Sequence, residues 1–200
     1  MLRMPPVTLA LILVNVAAYL LEISTGRAII DAFALFPLHS GQFHAWQLIT
    51  YGFLHDPHTF AHIFFNMFAL FMFGGPLERY WGGTRFLIFY LVCVLTAALT
   101  QLAVTAGTSA LEPTLGASGG VFGVLLAFAW LFPRQKLFVI PIPIPIPAWL
   151  FVTLYAIAEL FFGVTGRWQG VAHFAHLGGM LGGALCILAF GGRRQSATRR

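Results

Sequence analysis

Charge is the scarcest commodity in this 200-residue chain: Asp, Glu, Lys and Arg together supply 8% of it. A soluble domain carries about a quarter charged residues, so this chain cannot clothe itself in a water-compatible surface. Cysteine is nearly missing too. Cys93 and Cys186 both lie in apolar runs, which argues against a disulfide framework and leaves the redox compartment open. No His-Glu-x-x-His occurs, so the helical zinc-protease signature is lacking. His55, His58 and His173 could be set beside His62 as ligands, but zinc sites need three or four convergent ones, and the expectation is no metal and no cofactor. No convincing internal repeat is found, which weighs against a transporter.

What is present is apolar. Hydrophobic residues make up 59% of the chain, with a mean hydropathy of +0.85, twenty-one Phe and five Trp. The fold class this implies is an all-α polytopic membrane protein, a single helical bundle over 1–200 with a core of about 5–190 and a basic tail at 191–200. Six segments approach the roughly 20 residues a membrane span requires: about 5–22, 60–77, 84–106, 115–132, 148–165 and 170–190. Met1 to Tyr19 has the polarity of a signal peptide but no clear cleavage site, and reads as a retained first span. The long segment from Glu22 to Thr59 mixes Phe, Trp, His and Pro, as suits a loop lying in the interface.

The formal charge of +5 is no nucleic-acid signal, because the basic residues fall in connecting segments and the tail. Their distribution sets topology instead. With the N-terminus inside, Arg3, Arg79, Arg85, Arg134, Lys136 and the four arginines from Arg193 to Arg200 are all inside, and Arg27 and Arg167 are outside. The positive-inside rule therefore places both termini in the cytoplasm. Pro141, Pro143, Pro145 and Pro147 alternate with isoleucine ahead of the fifth span. Proline offers no backbone donor and stops helix propagation, so an extended or polyproline-like inner loop is expected there.

Polar residues inside such a chain usually face the bundle interior or a wet cavity and mark function. The stretch Leu115 to Gly123 sets Ser118 among four glycines. His62 and Asn66 open the second span, and His176 lies early in the sixth, followed by Gly178 and Gly179. In the stated topology all four polar residues sit within roughly 10 Å of the outer boundary, at 1.5 Å per helical residue. Gly116-xxx-Gly120, Gly119-xxx-Gly123, Gly178-xxx-Gly182 and Gly179-xxx-Gly183 are small-xxx-small pairs that let backbones approach in lipid. Such stripes would bring the Ser118 hydroxyl to a His176 ring nitrogen. A serine is a weak nucleophile until an adjacent base takes its proton. His62 and Asn66, four apart, share a helix face and resemble side-chain members of an oxyanion hole, joined by backbone N–H groups at the glycine-rich helix start.

The Gly-x-Ser-Gly of Gly116–Gly119, the His-x-x-x-Asn of His62–Asn66 and the Ala-His-x-x-Gly of Ala175–Gly179, in this order and spacing, resemble the rhomboid family of intramembrane serine proteases. Gly74-xxx-Glu78-xxx-Gly82 resembles a further family motif, and the likeness runs from about Trp46 to Gly183. The resemblance implies a six-helix core that cleaves transmembrane segments of other membrane proteins. It implies a Ser–His dyad with no aspartate: Ser118 as nucleophile, His176 as base and then acid, and His62, Asn66 and the Ser118 N–H as oxyanion hole. It implies also that span five and the cap over the site move as a gate. Gly116, Gly119, Gly179 and Glu78 are expected to serve packing near the site, with Glu78 tying the loop after span two, near Arg79 or Arg85. Phe122 stands where relatives often carry a Tyr packed under the histidine, and Trp46-Gln47 where many carry Trp-Arg. Glu159, an acid within span five, is expected to pair with a polar group or stay protonated, outside the dyad; His55 is expected to brace the outer loop. Partners implied are transmembrane protein substrates and the bilayer, in a prokaryotic inner or plasma membrane. The alternative is a catalytically silent rhomboid-like adaptor or chaperone that binds unstable transmembrane helices.

Overall fold

The computed structural model describes residues 4–139, 142–167 and 170–190. The basic tail, Arg3 and Pro141 lie outside the described residues. Helix α1 (Pro6–Thr25) opens on Pro6, whose fixed φ and missing N–H suit a first helical position, and it ends at Gly26. A connecting segment follows, folded into short helices α2 (Arg27–Phe33) and α3 (Gln47–Thr50) with tight turns between. Helix α4 (Phe60–Ala69) runs through a π-helical turn at Leu70–Gly74 into α5 (Gly75–Trp81). Gly82, at φ +81°, breaks the chain before α6 (Gly83–Thr105); that backbone region favours glycine. Then come α7 (Ser118–Leu131), strands β1 (Lys136–Val139) and β2 (Ile142–Pro147), α8 (Ala148–Thr165) and α9 (His173–Ala189).

Four helical stretches are long and apolar enough to cross a membrane: Pro6–Thr25, Phe60–Trp81, Gly83–Thr105 and Ala148–Thr165. The chain is an integral membrane protein. The expected segments 115–132 and 170–190 yield shorter apolar helices of 14 and 17 residues. Helix α7 starts only at Ser118 because Gly116 takes φ +135°, which no helix accommodates. At 1.5 Å per residue it is about 21 Å long, against a hydrocarbon core of about 30 Å. Eleven of its residues are buried, so it is sheathed in protein rather than lipid.

The centre of the bundle is α6, α7 and α9, and glycine is why they fit. A Cβ on Gly179 would collide with the Gly119 carbonyl, and one on Gly183 would lie 3.2 Å from the Gly123 Cα. The Gly119/Gly123 stripe of α7 thus faces Gly179/Gly183 of α9. The other two pairs do something else. Gly178 and Gly182 receive Thr100 and Thr96 of α6, and Gly120 receives Tyr90; Gly116 is not helical at all. By contrast α8 buries only Ala148, Val152 and Glu159.

Two expectations change. The proline-rich segment is extended, but it is an antiparallel strand of a hairpin, pairing Lys136 with Pro147 and Leu137 with Ile146; this two-stranded hairpin qualifies the all-α class. Glu78 pairs with no arginine among the described residues. Its carboxylate accepts from the Val7 N–H at 2.9 Å, the Thr8 N–H at 2.7 Å and the Thr8 hydroxyl at 2.7 Å. It caps from outside a helix whose own N-cap position, Pro5, makes no side-chain bond. The first helical N–H groups have no intrahelical acceptor, and the negative charge meets the positive end of the helix dipole.

Candidate active site

Ser118 is the first residue of α7, so its own N–H and those of Gly119 and Gly120 point outward with no acceptor inside the helix. Gly116 makes the approach to it possible. A side chain there would lie 3.0 Å from His62 Nε2 and 3.5 Å from Ser118 Oγ, filling the space the two share. From α9, His176 Nε2 reaches Ser118 Oγ at 2.8 Å. Phe122, one turn into α7, stacks on the His176 ring at 4.2 Å between centroids and 6° between planes, which sets the plane in which that ring lies.

His62 has a definite tautomer. Its Nδ1 accepts the Asp56 N–H at 3.3 Å, so in the neutral ring the proton is on Nε2, the nitrogen turned toward Gly116 and Ser118. Asn66 shares the face and donates one amide proton to the His62 carbonyl at 2.9 Å, leaving the second available. Both residues, with Ser118 and His176, line a groove of about 1630 Å³ whose walls include Phe65 and Tyr155.

The supporting loop is organised by neutral bonds. Gln47 is fully buried; its carbonyl accepts from the Phe36 and His44 N–H groups and its amide donates to the Gln42 carbonyl at 3.0 Å. Trp46 donates its indole N–H to the Ala32 carbonyl at 2.9 Å. His55 anchors the loop through its backbone: its N–H is held by both carboxylate oxygens of Glu22, at 3.0 and 3.1 Å. Its ring is fully buried, edge-on to His62 at 5.1 Å, and burial first, then the neighbouring His62, push it down to about 3. Burial pushes the Asp56 carboxyl up, but hydrogen bonds from the Thr59 hydroxyl and the His58 N–H outweigh it and hold the group below its ordinary value.

Glu159 pairs with polar groups, the first of the two expected alternatives, and those groups are histidines of α9. It is buried, and its Oε2 meets His176 Nδ1 at 2.9 Å and His173 Nδ1 at 2.7 Å. Sequence reasoning noted Glu159 and His173 but joined neither to the serine. The available signal was the spacing of His173 and His176, three apart and so on one helix face, together with an acid in an apolar helix. Glu159, His173 and His176 are also the one group among the described residues whose liganding atoms lie close enough to hold a metal ion. Their contacts of 2.7 and 2.9 Å are hydrogen-bond lengths, tighter than the separation of about 3.3 Å between ligands around a tetrahedral zinc.

A Rhomboid domain model matches residues 42–193. The chain belongs to the rhomboid family. It is 38% identical over 130 residues to Rhomboid protein 1, mitochondrial, of Saccharomyces cerevisiae, covering 63% of this chain and 37% of that protein. It is 29% identical over 178 residues to Rhomboid protease GluP of Bacillus subtilis, 86% of this chain and 32% of that one. It is 28% identical over 194 residues to Rhomboid protease GlpG of Yersinia pseudotuberculosis, 96% of this chain and 64% of the relative. The chain thus spans from about a third to just under two thirds of the length of these rhomboid relatives.

Proposed function

We propose that this rhomboid-family chain is an intramembrane serine endopeptidase that cuts transmembrane segments of other membrane proteins. The observation that carries the proposal is the 2.8 Å contact of Ser118 Oγ with His176 Nε2, beside an outward-turned His62 N–H in one groove. His176 Nε2 takes the hydroxyl proton as Ser118 Oγ attacks the scissile carbonyl. The oxyanion that forms is received by the His62 Nε2–H, the free Asn66 amide proton and the Ser118 N–H. The tetrahedral intermediate collapses, the C–N bond breaks, and the imidazolium returns its proton to the leaving amine. Water then attacks the acyl-enzyme with His176 again as base, releasing the acid and restoring Ser118. A helix hydrogen-bonds its own backbone and lipid holds no water, so a substrate must unwind locally before its carbonyl reaches Ser118; residues that weaken helices near the cut will favour cleavage.

The same proposal includes a six-helix core formed by one domain, with α7 and α9 as its short members, both termini on the cytoplasmic side, a cut near the outer leaflet and residence in a prokaryotic inner or plasma membrane. The test is labelling of the detergent-solubilised full chain by a serine-reactive fluorophosphonate. Wild type is expected to label, and folded Ser118→Ala and His176→Ala to lose it. Undiminished labelling in folded Ser118→Ala, or none in folded wild type, would remove the basis of the proposal.

A further inference from the structure

The structure assigns Glu159 as a positioning residue that holds His176 in the form able to deprotonate Ser118, making the site a Ser118–His176–Glu159 array braced by His173. This inference rests on the proteolytic reading above and extends it by a residue from another helix.

The tautomer argument comes first. His176 lies between Ser118 Oγ at Nε2, 2.8 Å, and Glu159 Oε2 at Nδ1, 2.9 Å. An ionised carboxylate only accepts hydrogen bonds. The ring proton of neutral His176 is therefore on Nδ1, and Nε2 presents its lone pair to the serine hydroxyl. Without an acceptor at Nδ1, much of the neutral ring would carry its proton on Nε2, the form that cannot take another there. Once Nε2 has taken the serine proton, the imidazolium sits beside a negative oxygen in a poorly screening interior, where opposite charges attract strongly. Phe122 restrains the plane of the ring, and Glu159 its rotation and its tautomer.

A purely structural role accounts poorly for the same facts. Burying a carboxylate in a membrane helix is costly unless it is paired, and α8 is otherwise a peripheral, apolar helix with two other buried residues. The donors that meet Glu159 Oε2 are the ring of the proposed base and the ring of its neighbour three residues earlier. His173 shows which way its own proton lies. Its Nε2 is buried with no partner among the described residues, and a buried N–H without an acceptor costs more than a bare ring nitrogen. The proton belongs on Nδ1, donated to Glu159 at 2.7 Å. Two N–H donors on one oxygen stabilise the carboxylate as an ion and disfavour its taking the proton from His176. The groups facing this array are Ser118 and Phe122 from α7, Tyr155 and Phe162 from α8 and His62 from α4.

The test resolves fluorophosphonate labelling into a maximal rate and a half-saturating concentration. In folded Glu159→Gln the maximal rate is expected to fall by at least about 100-fold, with half-saturation within about 3-fold of wild type, as when an orienting acid is neutralised beside a catalytic histidine. A wild-type maximal rate in folded Glu159→Gln would overturn the assignment. If that variant does not fold, histidine-selective nitrogen NMR of the wild-type protein decides. A proton on His176 Nδ1 upholds the assignment, and a neutral ring protonated on Nε2 overturns it. Failure of the proteolytic reading is recognised separately, by labelling that survives in Ser118→Ala.

Discussion

Glu78 and Glu159 are both buried carboxylates in apolar helices, and they differ in what donates to them. Glu78 receives two backbone N–H groups and a threonine hydroxyl at the start of α1. None of these donors belongs to a titratable side chain, and the consequence is mechanical: α5 is fastened to α1. Glu159 Oε2 meets two imidazole nitrogens, and the far nitrogen of one of those rings meets a serine. Imidazoles can change protonation, so in the proposed mechanism the same kind of group becomes part of a proton path. Donor chemistry, rather than burial or charge, separates the two.

The largest expected effect probes the chemical side of this comparison. His62→Leu removes the N–H turned toward Ser118 and should slow peptide-bond cleavage by about 10²–10³, the usual cost of one oxyanion donor. Cleavage of a helix-destabilised transmembrane substrate by purified protein measures it. A loss below about 3-fold would put His62 on the mechanical side, as a partner of the Asp56 N–H only.

Close behind is Gly179→Ala, which tests the frame that brings the reactive ends together. The added methyl runs into the Gly119 carbonyl, and backbone cannot step aside as a side chain can. A destabilisation of about 2–3 kcal/mol is expected, within the overpacking range, read as a lowered thermal transition in detergent. The α7–α9 contact positions Ser118 against His176, so labelling per folded molecule should fall as well. Unchanged stability would show that the two helices have slack the structure does not suggest.

Glu78→Gln sharpens the contrast directly. It keeps the shape, removes the charge and loses one acceptor oxygen for α1. About 1–3 kcal/mol of stability should go, from weakened charge-assisted bonds and the helix-end interaction, with labelling per folded molecule unchanged. Glu159→Gln should behave in the opposite way, losing rate out of proportion to stability. If both variants lost rate alike, the division by donor chemistry would fail.

How far these roles could be read without coordinates follows the same line. That Ser118, His176, His62 and Asn66 come together in one groove was legible because each is a polar residue where lipid-facing sequence should be apolar, and because glycines flank the serine and the second histidine. The partner of Glu159 was not legible, since it depends on how α8 is rotated against α9, and an apolar helix with little amphipathicity does not announce which face turns inward. Glu78 was assigned toward Arg79 and Arg85 on proximity in sequence, whereas its partners Val7 and Thr8 lie about seventy residues away. The glycine stripes promised close helix contact but could not say that Gly178 and Gly182 face α6 while Gly179 and Gly183 face α7. The alternating prolines forbade helix, but the strand they pair with, Lys136–Val139, carries no mark of its own.

The smallest effect expected concerns His55, a third kind of buried group, whose ring is enclosed edge-on to His62. Its folded value lies near 3 against an ordinary 6.5. Above 6.5 the ring is neutral in folded and unfolded chains alike and adds no pH dependence. As pH falls from 6.5 toward 3, the unfolded chain takes up a proton that the folded chain refuses, so stability declines over that window. Asp56 has the same sign but a lower range: its value is held below 3.8, so its contribution is lost only as pH falls below that point. Thermal transitions in detergent should therefore drop between the two His55 values in wild type, and the drop should shrink in His55→Leu. A slope unaltered by His55→Leu would mean that other groups set the pH dependence of folding. His55 would then count with Glu78 among the groups that only fasten the fold.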